Sequence, residues 1–453
     1  MDGTTKRLAA YACGLTYDDL PAATVHKAKR RIIDALGCAM AAYDAEPAMA
    51  LRAIAAMDSS MTPATLLGGG MQTTPEAAAF ANGVMVRFLD WNDTIMSVGS
   101  GHPSDLMPAA LAVAESRRGS GRDLLLGTTL GYELFNVIAD QVNIRERGWD
   151  QGLFVVLGAA TAAGRLMELS VEQMEHAIAI AVTANVPTRQ TRAGELSMWK
   201  GCAGPAAASS GVTAARLAQA GITGPTEAFE GRHGIFEQVT GPFQIAPLGG
   251  EDGQPFAIER SNLKLFPAEG HAQVPIELAL GLREQVAVDD IEHLNVESYW
   301  MTYSEIGSEP AKWDPQTRET ADHSLPYLLA VALTDGTITP STFNQARILD
   351  PALRPLMARI TVRENPELTK QFPAVMESRF ELVTKSGERL TARGQHPKGH
   401  ARNPMSDADV EAKFRSACAP HMSVARCDGA LDLLWGLDDL ASVGDLVAAF
   451  DVG

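Results

Sequence analysis

The sequence predicts a mainly α fold, with one large all-helical domain and one smaller α+β domain. The chain before Pro267 is rich in alanine, leucine and glycine at helical spacing, strand patterns begin only after that residue, and a helical pattern returns from residue 405. Its 453 residues, 46% of them hydrophobic, can also form more than one core. We expect an all-helical domain over 1–266, an α+β domain over 267–400, and C-terminal helices over 401–453 that pack back on the helical domain.

The first part of the chain contains several predicted helices with short connections. Thr74 followed by Pro75 is typical of a helix N-terminus, and Ser104 is a candidate cap for a helix near Asp105. The apolar run 152–164 is ended by Arg165 and is too short to cross a bilayer about 30 Å thick, so it predicts a core helix. The other predicted helices cover residues 23–43, 75–89, 105–118 and 122–140.

The second part alternates between helix and strand patterns. A helix near 271–286 is followed by a predicted strand over 295–303 and another over 359–365. Residues 378–394 predict a hairpin that turns near Ser386 and Gly387. These patterns are those of an α+β domain.

Composition excludes several classes of function. A formal charge of −17 disfavours nucleic acid and anionic membranes as partners. The five cysteines lack C-x-x-C spacing, which argues against a disulfide framework, a structural zinc site or an iron–sulfur cluster. The N-terminal residues lack a signal-peptide pattern, so a cytoplasmic protein is expected. The glycines at 68–70 predict a turn, since they lack the strand and helix of a dinucleotide site.

One candidate site lies in RFLDWNDT and GHPSD, residues 87–94 and 101–105. Asp90, Asp93 and Thr94 end a predicted helix, and His102 precedes the next one. A carboxylate, a hydroxyl and an imidazole could converge there near a helix N-terminus, which favours anions. Alternatively, the first three residues simply end a helix and His102 packs under a loop.

Basic residues form two further candidate sites. Lys200 in SMWKGC follows Arg189 and Arg192, which together suggest a pocket for a carboxylate, although Lys200 could instead extend to solvent. Lys264 and His271 flank a proline-containing turn where the two predicted domains meet. Ligand sites are common at such junctions, and a histidine there can act as a base near neutral pH. A solvated lysine and a helix-capping histidine are the alternative.

Two other segments have weaker patterns. Asp322, His323 and Ser324 match a hydrolytic triad in residue type, but Ser324 lacks the G-x-S-x-G setting, so a serine hydrolase is not expected. His396 and His400 are four residues apart in HPKGH. Pro397 and Gly399 argue against a helix that would align them as zinc ligands, so a surface loop is predicted.

Four motifs in this order resemble those of one enzyme family: RFLDWNDT with GHPSD, RQTRAGELSMWKGC, LKLFPAEGHAQ and RETADHSLPYLLAVAL. The chain resembles the MmgE/PrpD family, which contains 2-methylcitrate dehydratases, cis-aconitate decarboxylases and an iminodisuccinate epimerase. The resemblance spans essentially the whole chain. It implies a large helical domain completed by the C-terminal segment, a small α+β lid domain, a homodimer, and no metal or organic cofactor.

The resemblance also assigns site residues and an activity. It implies catalytic roles for Asp90, His102, Lys200 and His271, and substrate-binding roles for Thr94, Lys264 and His323. Arg192, upstream of Lys200, is expected to hold a substrate carboxylate as well. The decarboxylases have a histidine near 149–151, where this chain has Trp-Asp-Gln, and the wording of SMWKGC and ADHSLPY is closer to the dehydratases. The expected reaction is therefore loss of water from 2-methylcitrate in propionate breakdown. Decarboxylation of cis-aconitate and epimerisation of iminodisuccinate are alternatives in the same pocket, and a non-catalytic carboxylate-binding protein is a third.

Overall fold

The computed structural model describes residues 1–452, and its fold is mainly α, as predicted, with 57% helix and 8% strand. The chain folds into two compact units. The first contains residues 1–191, 201–262 and the C-terminal segment from 406, and the second contains 192–200 and 263–405. Residues 192–200 thus group with the α+β part, whereas the sequence pattern assigns them to the helical part. No helix among the described residues is long and apolar enough to span a membrane.

Helices dominate the chain up to Asn262. They are α1 Gly3–Gly14, α2 Ala22–Ala41, α3 Glu46–Ala55, α4 Pro75–Arg87, α5 Met107–Ser116, α6 Gly121–Ala139, α7 Gly152–Leu166, α8 Val171–Ala184 and α9 Trp199–Gln219. A two-stranded ribbon, β1 Ala64–Thr65 and β2 Gln72–Thr73, encloses the turn at 68–70. The helices predicted from the sequence are all present. Small residues allow α6 and α7 to pack closely, because a Cβ on Gly158 would lie 2.5 Å from the Gly131 carbonyl oxygen.

Two predicted helix caps have different outcomes. Thr74 caps α4, since its side chain accepts a hydrogen bond from Ala77 N and Pro75 occupies the first turn. Ser104 does not cap α5. A 3₁₀ turn over Pro103–Leu106 precedes that helix, and the Ser104 hydroxyl accepts a hydrogen bond from Asn92 instead. The long-range contact replaces the expected local one.

The second unit is built on a four-stranded sheet. Its strands, β3 Ile291–Ser298, β4 Ile360–Glu364, β5 Ser378–Thr384 and β6 Arg389–Gly394, lie in the order β4-β3-β5-β6, with β3 and β4 parallel and the other pairs antiparallel. The helices are α10 Gln273–Arg283, α11 Trp300–Ile306, α12 Pro310–Trp313, α13 Arg318–Ala321, α14 Leu325–Asp335, α15 Gln345–Ile348, α16 Arg354–Met357 and α17 Pro366–Thr369. Apolar residues of β3 share one core with those of α10 and α14.

Two predictions for this unit need correction, while the hairpin with a turn at Gly387 is confirmed. The strand predicted over 295–303 ends at Ser298, and α11 begins two residues later. Thr302 and Ile306, four residues apart, are both buried, so the alternating pattern also suited a helical turn. His400 is buried rather than on a surface loop. Its ring stacks on His396 with centroids 4.5 Å apart, and burial lowers its pKa to about 4.

The C-terminal segment returns to helix, as α18 Asp407–Cys418, α19 Val424–Trp435 and α20 Val443–Ala448. It belongs to the first unit, where α18 packs against α2. All five cysteines are reduced thiols, and four of them are buried.

Candidate active site

In the first unit, the loop that joins α4 to the 3₁₀ turn before α5 is closed by main-chain hydrogen bonds. Ile95 and Gly101 exchange two such bonds of 2.8 and 3.0 Å, and Thr94 exchanges two with Asn262, of 2.9 and 2.7 Å. A Cβ on Gly101 would lie 2.2 Å from Gln151 Oε1, so the approach of the loop requires glycine there. The positions of the loop's polar side chains are therefore set by the backbone.

Asp90 is fully buried in this loop and has a left-handed backbone, with φ of 53°. Its Oδ2 lies 3.1 Å from a guanidinium nitrogen of Arg87, which is 1% exposed. The Arg87 Nε lies 3.8 Å from Asp105 Oδ1, on the far side of the loop. An unpaired buried carboxylate would be costly, so Arg87 balances Asp90 and ties both ends of the loop together.

His102 is held in one tautomer by the backbone. Its Nδ1 lies 2.9 Å from the carbonyl oxygen of Asp93. A carbonyl oxygen can only accept, so Nδ1 carries a proton, and the neutral ring has its lone pair on Nε2. The main-chain N–H of His102 donates to Gln151 Oε1 at 2.7 Å, and Gln151 Nε2 donates to Asp105 at 3.4 Å. The arrangement presents Nε2 of His102 as a base.

Other side chains hold the same loop in place. The Thr94 hydroxyl donates to the carbonyl oxygen of Gly101 at 3.0 Å. From α18, Lys413 Nζ donates to Asp34 Oδ1 at 2.6 Å and to the carbonyl oxygen of Trp91 at 2.8 Å. Lys413 also lies over the Trp91 ring, 4.9 Å from its centroid. The C-terminal segment therefore supports the loop directly.

In the second unit, Lys200 lies in a buried cluster with Asp322 and His323. Lys200 Nζ donates to Asp322 Oδ1 at 2.6 Å, and His323 Nδ1 lies 2.6 Å from the same oxygen. Lys200 and His323 are 3.2 Å apart and both donate to Asp322. Burial acts to raise the pKa of Asp322, but the charges of Lys200 and His323, with Arg318, lower it to about 2. Asp322 is thus a carboxylate that orients Lys200.

Basic side chains lie around Asp322. Arg318 donates to Asp322 Oδ2 at 3.1 Å. Lys312 is 2% exposed, burial lowers its pKa, and its Nζ lies 4.0 Å from a carboxylate oxygen of Glu309. Lys200 and Lys312 are buried and Arg318 is half-buried, so the carboxylate of Asp322 lies among three basic side chains. Basic side chains grouped in this way favour binding of an anion.

His271, also in the second unit, packs against the aromatic rings of Tyr299 and Phe372. Its Nδ1 lies 2.7 Å from the Tyr299 hydroxyl, and its main-chain N–H donates to Glu269 at 2.5 Å. Tyr299 stacks on Phe372, with centroids 4.9 Å apart and ring planes 13° apart. Lys264 is 1% exposed, and Arg192 is half-buried at the end of the 3₁₀ turn Arg189–Arg192.

Two family models match the chain in sequence order. The MmgE/PrpD N-terminal domain matches residues 6–248, and the MmgE/PrpD C-terminal domain matches residues 266–437. The chain belongs to the MmgE/PrpD family.

Relatives with assigned activities cover most of this MmgE/PrpD protein. A cis-aconitate decarboxylase of Mus musculus is 25% identical over 465 residues, 97% of this chain and 92% of that protein. The cis-aconitate decarboxylase of Homo sapiens is 26% identical over 457 residues, 96% and 92% of the two chains. A 2-methylcitrate dehydratase of Cupriavidus necator is 28% identical over 390 residues, 79% and 75%. These relatives confirm the prediction that the chain is a dehydratase-like enzyme of this family.

The structure brings some of the predicted MmgE/PrpD site residues together. Asp90, Thr94 and His102 share one loop of the first unit, and Lys200 and His323 are in contact in the second. Their catalytic and binding roles stay predictions. Ser324 is a helix cap, since its hydroxyl accepts a hydrogen bond from Tyr327 N and donates to the Lys312 carbonyl oxygen. That role agrees with the expectation that it is no nucleophile.

Several residues of these clusters are not among the site residues predicted from the sequence. The sequence could have indicated Arg87 through its position three residues before Asp90, with which it pairs. It could have indicated Asp322 through its position beside His323. Gln151 lies in the segment 149–151, near which the resemblance implies a departure from the decarboxylases. Lys312 and Tyr299 had no local signal, because their contacts come from distant parts of the chain.

Proposed function

We propose that this protein is a 2-methylcitrate dehydratase that removes water to give 2-methyl-cis-aconitate by acid–base catalysis, without a metal or organic cofactor. The observation that carries the proposal is the group of three basic side chains, Lys200, Arg318 and Lys312, around Asp322 in a chain whose formal charge is −17. A substrate with several carboxylates would be attracted to such a local cationic cluster.

In the proposed reaction, Nε2 of His102 takes the carbon-bound proton next to a carboxylate. The electron pair of the C–H bond becomes the C=C bond as hydroxide departs, and the ammonium group of Lys200 gives the hydroxide a proton, so that water leaves. Lys200 also stabilises the negative charge that develops on the carboxylate. His271 adds a hydrogen-bond donor, and Thr94, Arg192, Lys264 and His323 hold carboxylates. Asp90 acts through the loop that carries His102.

The segment 149–151 supports dehydration over decarboxylation. It is Trp-Asp-Gln in this chain, whereas the resemblance implies a histidine of the decarboxylases near these positions, and its Gln151 side chain accepts a hydrogen bond from the main-chain N–H of His102. Decarboxylation of cis-aconitate is the second candidate, because the decarboxylases named above cover 96–97% of the chain. Both reactions require control of charge beside a carboxylate, so the same cations would serve either one.

The test is an assay with four acids, each supplied separately: 2-methylcitrate, citrate, cis-aconitate and iminodisuccinate. Ultraviolet absorbance and mass spectrometry should show an unsaturated tricarboxylate formed from 2-methylcitrate. Carbon dioxide from cis-aconitate would favour the decarboxylase, and inversion of iminodisuccinate without a change in mass would favour the epimerase. No reaction with any of the four would favour a carboxylate-binding protein and contradict the proposal.

Two variants test the proposed roles. His102→Gln should lower turnover by about 10²- to 10⁴-fold, the contribution typical of a general base. Lys200→Met should also lose orders of magnitude. The matched controls are His26→Gln and Lys370→Met, which change exposed side chains and should keep the parent turnover. Equal turnover in a variant and its control would remove that residue from the mechanism.

We also propose a homodimer that is not bound to nucleic acid or membrane. The family resemblance supports the dimer, and the net charge of −17 disfavours both polyanionic partners. Light scattering at micromolar concentration should give about twice the chain mass of 48.2 kDa. A single species with the mass of one chain would contradict this proposal.

A further inference from the structure

Tyr299 hydrogen-bonds His271 in the interior of the second unit. The Tyr299 side chain is 1% exposed, and its oxygen lies 2.7 Å from His271 Nδ1. The neighbouring Ser298 and Thr302 are fully buried, and Ser298 donates a hydrogen bond to Thr302 at 3.0 Å. The hydrogen bond between Tyr299 and His271 is therefore formed away from solvent.

The direction of the hydrogen bond between Tyr299 and His271 follows from their chemistry. Burial raises the pKa of Tyr299, so its phenol keeps its proton at neutral pH. A phenol is a better donor than a neutral imidazole N–H, and an imidazole nitrogen is a better acceptor than a phenol oxygen. The phenol therefore donates its proton to His271 Nδ1, 2.7 Å away.

We propose that Tyr299 is a positioning residue that holds neutral His271 in the tautomer with its proton on Nε2. This inference rests on the proposed function, in which His271 acts on the substrate. In that tautomer, Nε2 can donate a hydrogen bond to a substrate oxygen but cannot take a proton from carbon. His271 is thus excluded as the base, and His102, whose Nδ1 donates to a carbonyl oxygen, is left with that role.

The surroundings of His271 agree with a donor at Nε2. Glu269 Oε1 lies 3.9 Å from Nε2, and its carboxylate can only accept. Phe372 lies against both rings, with centroids 5.8 Å from His271 and 4.9 Å from Tyr299. Phe372 therefore contacts both partners of the hydrogen bond without taking part in it.

The experiment records ¹⁵N correlation spectra of the full chain labelled at histidine, with the His271 signals assigned from a His271→Gln sample. In the parent protein, at a pH where His271 is neutral, Nε2 should carry the proton, and the ¹⁵N chemical shift of Nδ1 should be that of a nitrogen that accepts a hydrogen bond. In Tyr299→Phe, the ¹⁵N chemical shift of Nδ1 should change to that of a nitrogen that accepts no hydrogen bond. The variant should also lose about 10- to 100-fold in kcat with KM unchanged, the range typical when a group that orients a histidine is removed.

Phe372→Leu is the matched control, because it removes the stacked ring and leaves the hydrogen bond. Its Nδ1 signal should stay at the parent position, and thermal melts of all samples verify folding. A proton on Nδ1 in the parent protein would overturn the inference, and so would an unmoved Nδ1 signal or an unchanged kcat in Tyr299→Phe. Failure of the parent protein to turn over any of the four acids would instead overturn the proposed function, which the spectra do not test.

Discussion

Replacing Asp322 with asparagine should strongly destabilise the second unit. Asp322 is fully buried and is paired with Lys200 at 2.6 Å and with Arg318 at 3.1 Å. Asparagine keeps the shape and an acceptor oxygen but removes the charge that both cations face. Each cation would then be buried beside a neutral amide, whose NH₂ group cannot accept a hydrogen bond.

The expected loss can be worked out from the pKa of Asp322. A decrease from 3.8 to about 2 corresponds to roughly 2 to 3 kcal/mol of stabilisation at neutral pH. Breaking a buried ion pair costs about 3–5 kcal/mol. Because asparagine still accepts one hydrogen bond, we expect a loss of about 3 kcal/mol. The pKa is lowered in the folded state, so this stabilisation is complete above pH about 4 and is lost as pH falls toward 2.

Urea unfolding at pH 7, followed by circular dichroism and tryptophan fluorescence, measures the loss. The control is Asp314→Asn, the same change at an exposed carboxylate paired with Arg354, which should cost less than about 1 kcal/mol. The difference between Asp322→Asn and the parent should also narrow as pH falls from 4. A loss no larger than that of the control would refute a charged Asp322 held by Lys200 and Arg318.

Four further outcomes are expected. Ser324→Ala should keep the parent turnover and lose about 1 kcal/mol in urea unfolding, since the hydroxyl caps α14; a large loss of turnover would indicate a nucleophile. In His400→Gln, the free energy of unfolding should depend less on pH between 6.5 and 4 than it does in the parent. The parent should lose up to about 3 kcal/mol of stability over this range, because His400 binds a proton more readily in the unfolded chain than in its buried position; equal pH profiles of the two proteins would contradict this. Lys413→Met should cost about 3–5 kcal/mol by leaving Asp34 unpaired, and adding Asp34→Asn should restore most of it; no restoration would mean that the pair is not the cause. Dialysis against a chelator should leave turnover unchanged, whereas a loss reversed by iron or zinc would end the cofactor-free mechanism.

Local patterns were sufficient to predict most helices of the first unit. Thr74 and Pro75 set the start of α4 through contacts within one turn, and α7 follows from its continuous apolar run. Errors arose where a distant contact decides the outcome. Ser104 is bound by Asn92 and Asp93 across the loop, so no local rule could exclude it as a cap.

In the candidate site, too, local patterns could be predicted from the sequence and distant contacts could not. His102 and its loop could be predicted because their polar residues lie within about one dozen positions of each other, a span that sequence motifs can cover. The pair of Lys200 with Asp322 joins positions 122 apart, and that of His271 with Tyr299 joins positions 28 apart. The pattern over residues 295–303 predicts one strand, which gives no reason to place the Tyr299 hydroxyl beside a histidine.

The contact between Lys413 and Trp91 has a consequence for the order of synthesis. The two residues are 322 positions apart, so the loop that carries His102 leaves the ribosome long before the lysine that holds it. Until α18 is made, Asp34 therefore lacks the ammonium group of Lys413, and the carbonyl group of Trp91 lacks that donor. A nascent chain that ends before α18 can form the helices that precede it, but the support that Lys413 gives to the loop of His102 comes only after α18 has been made.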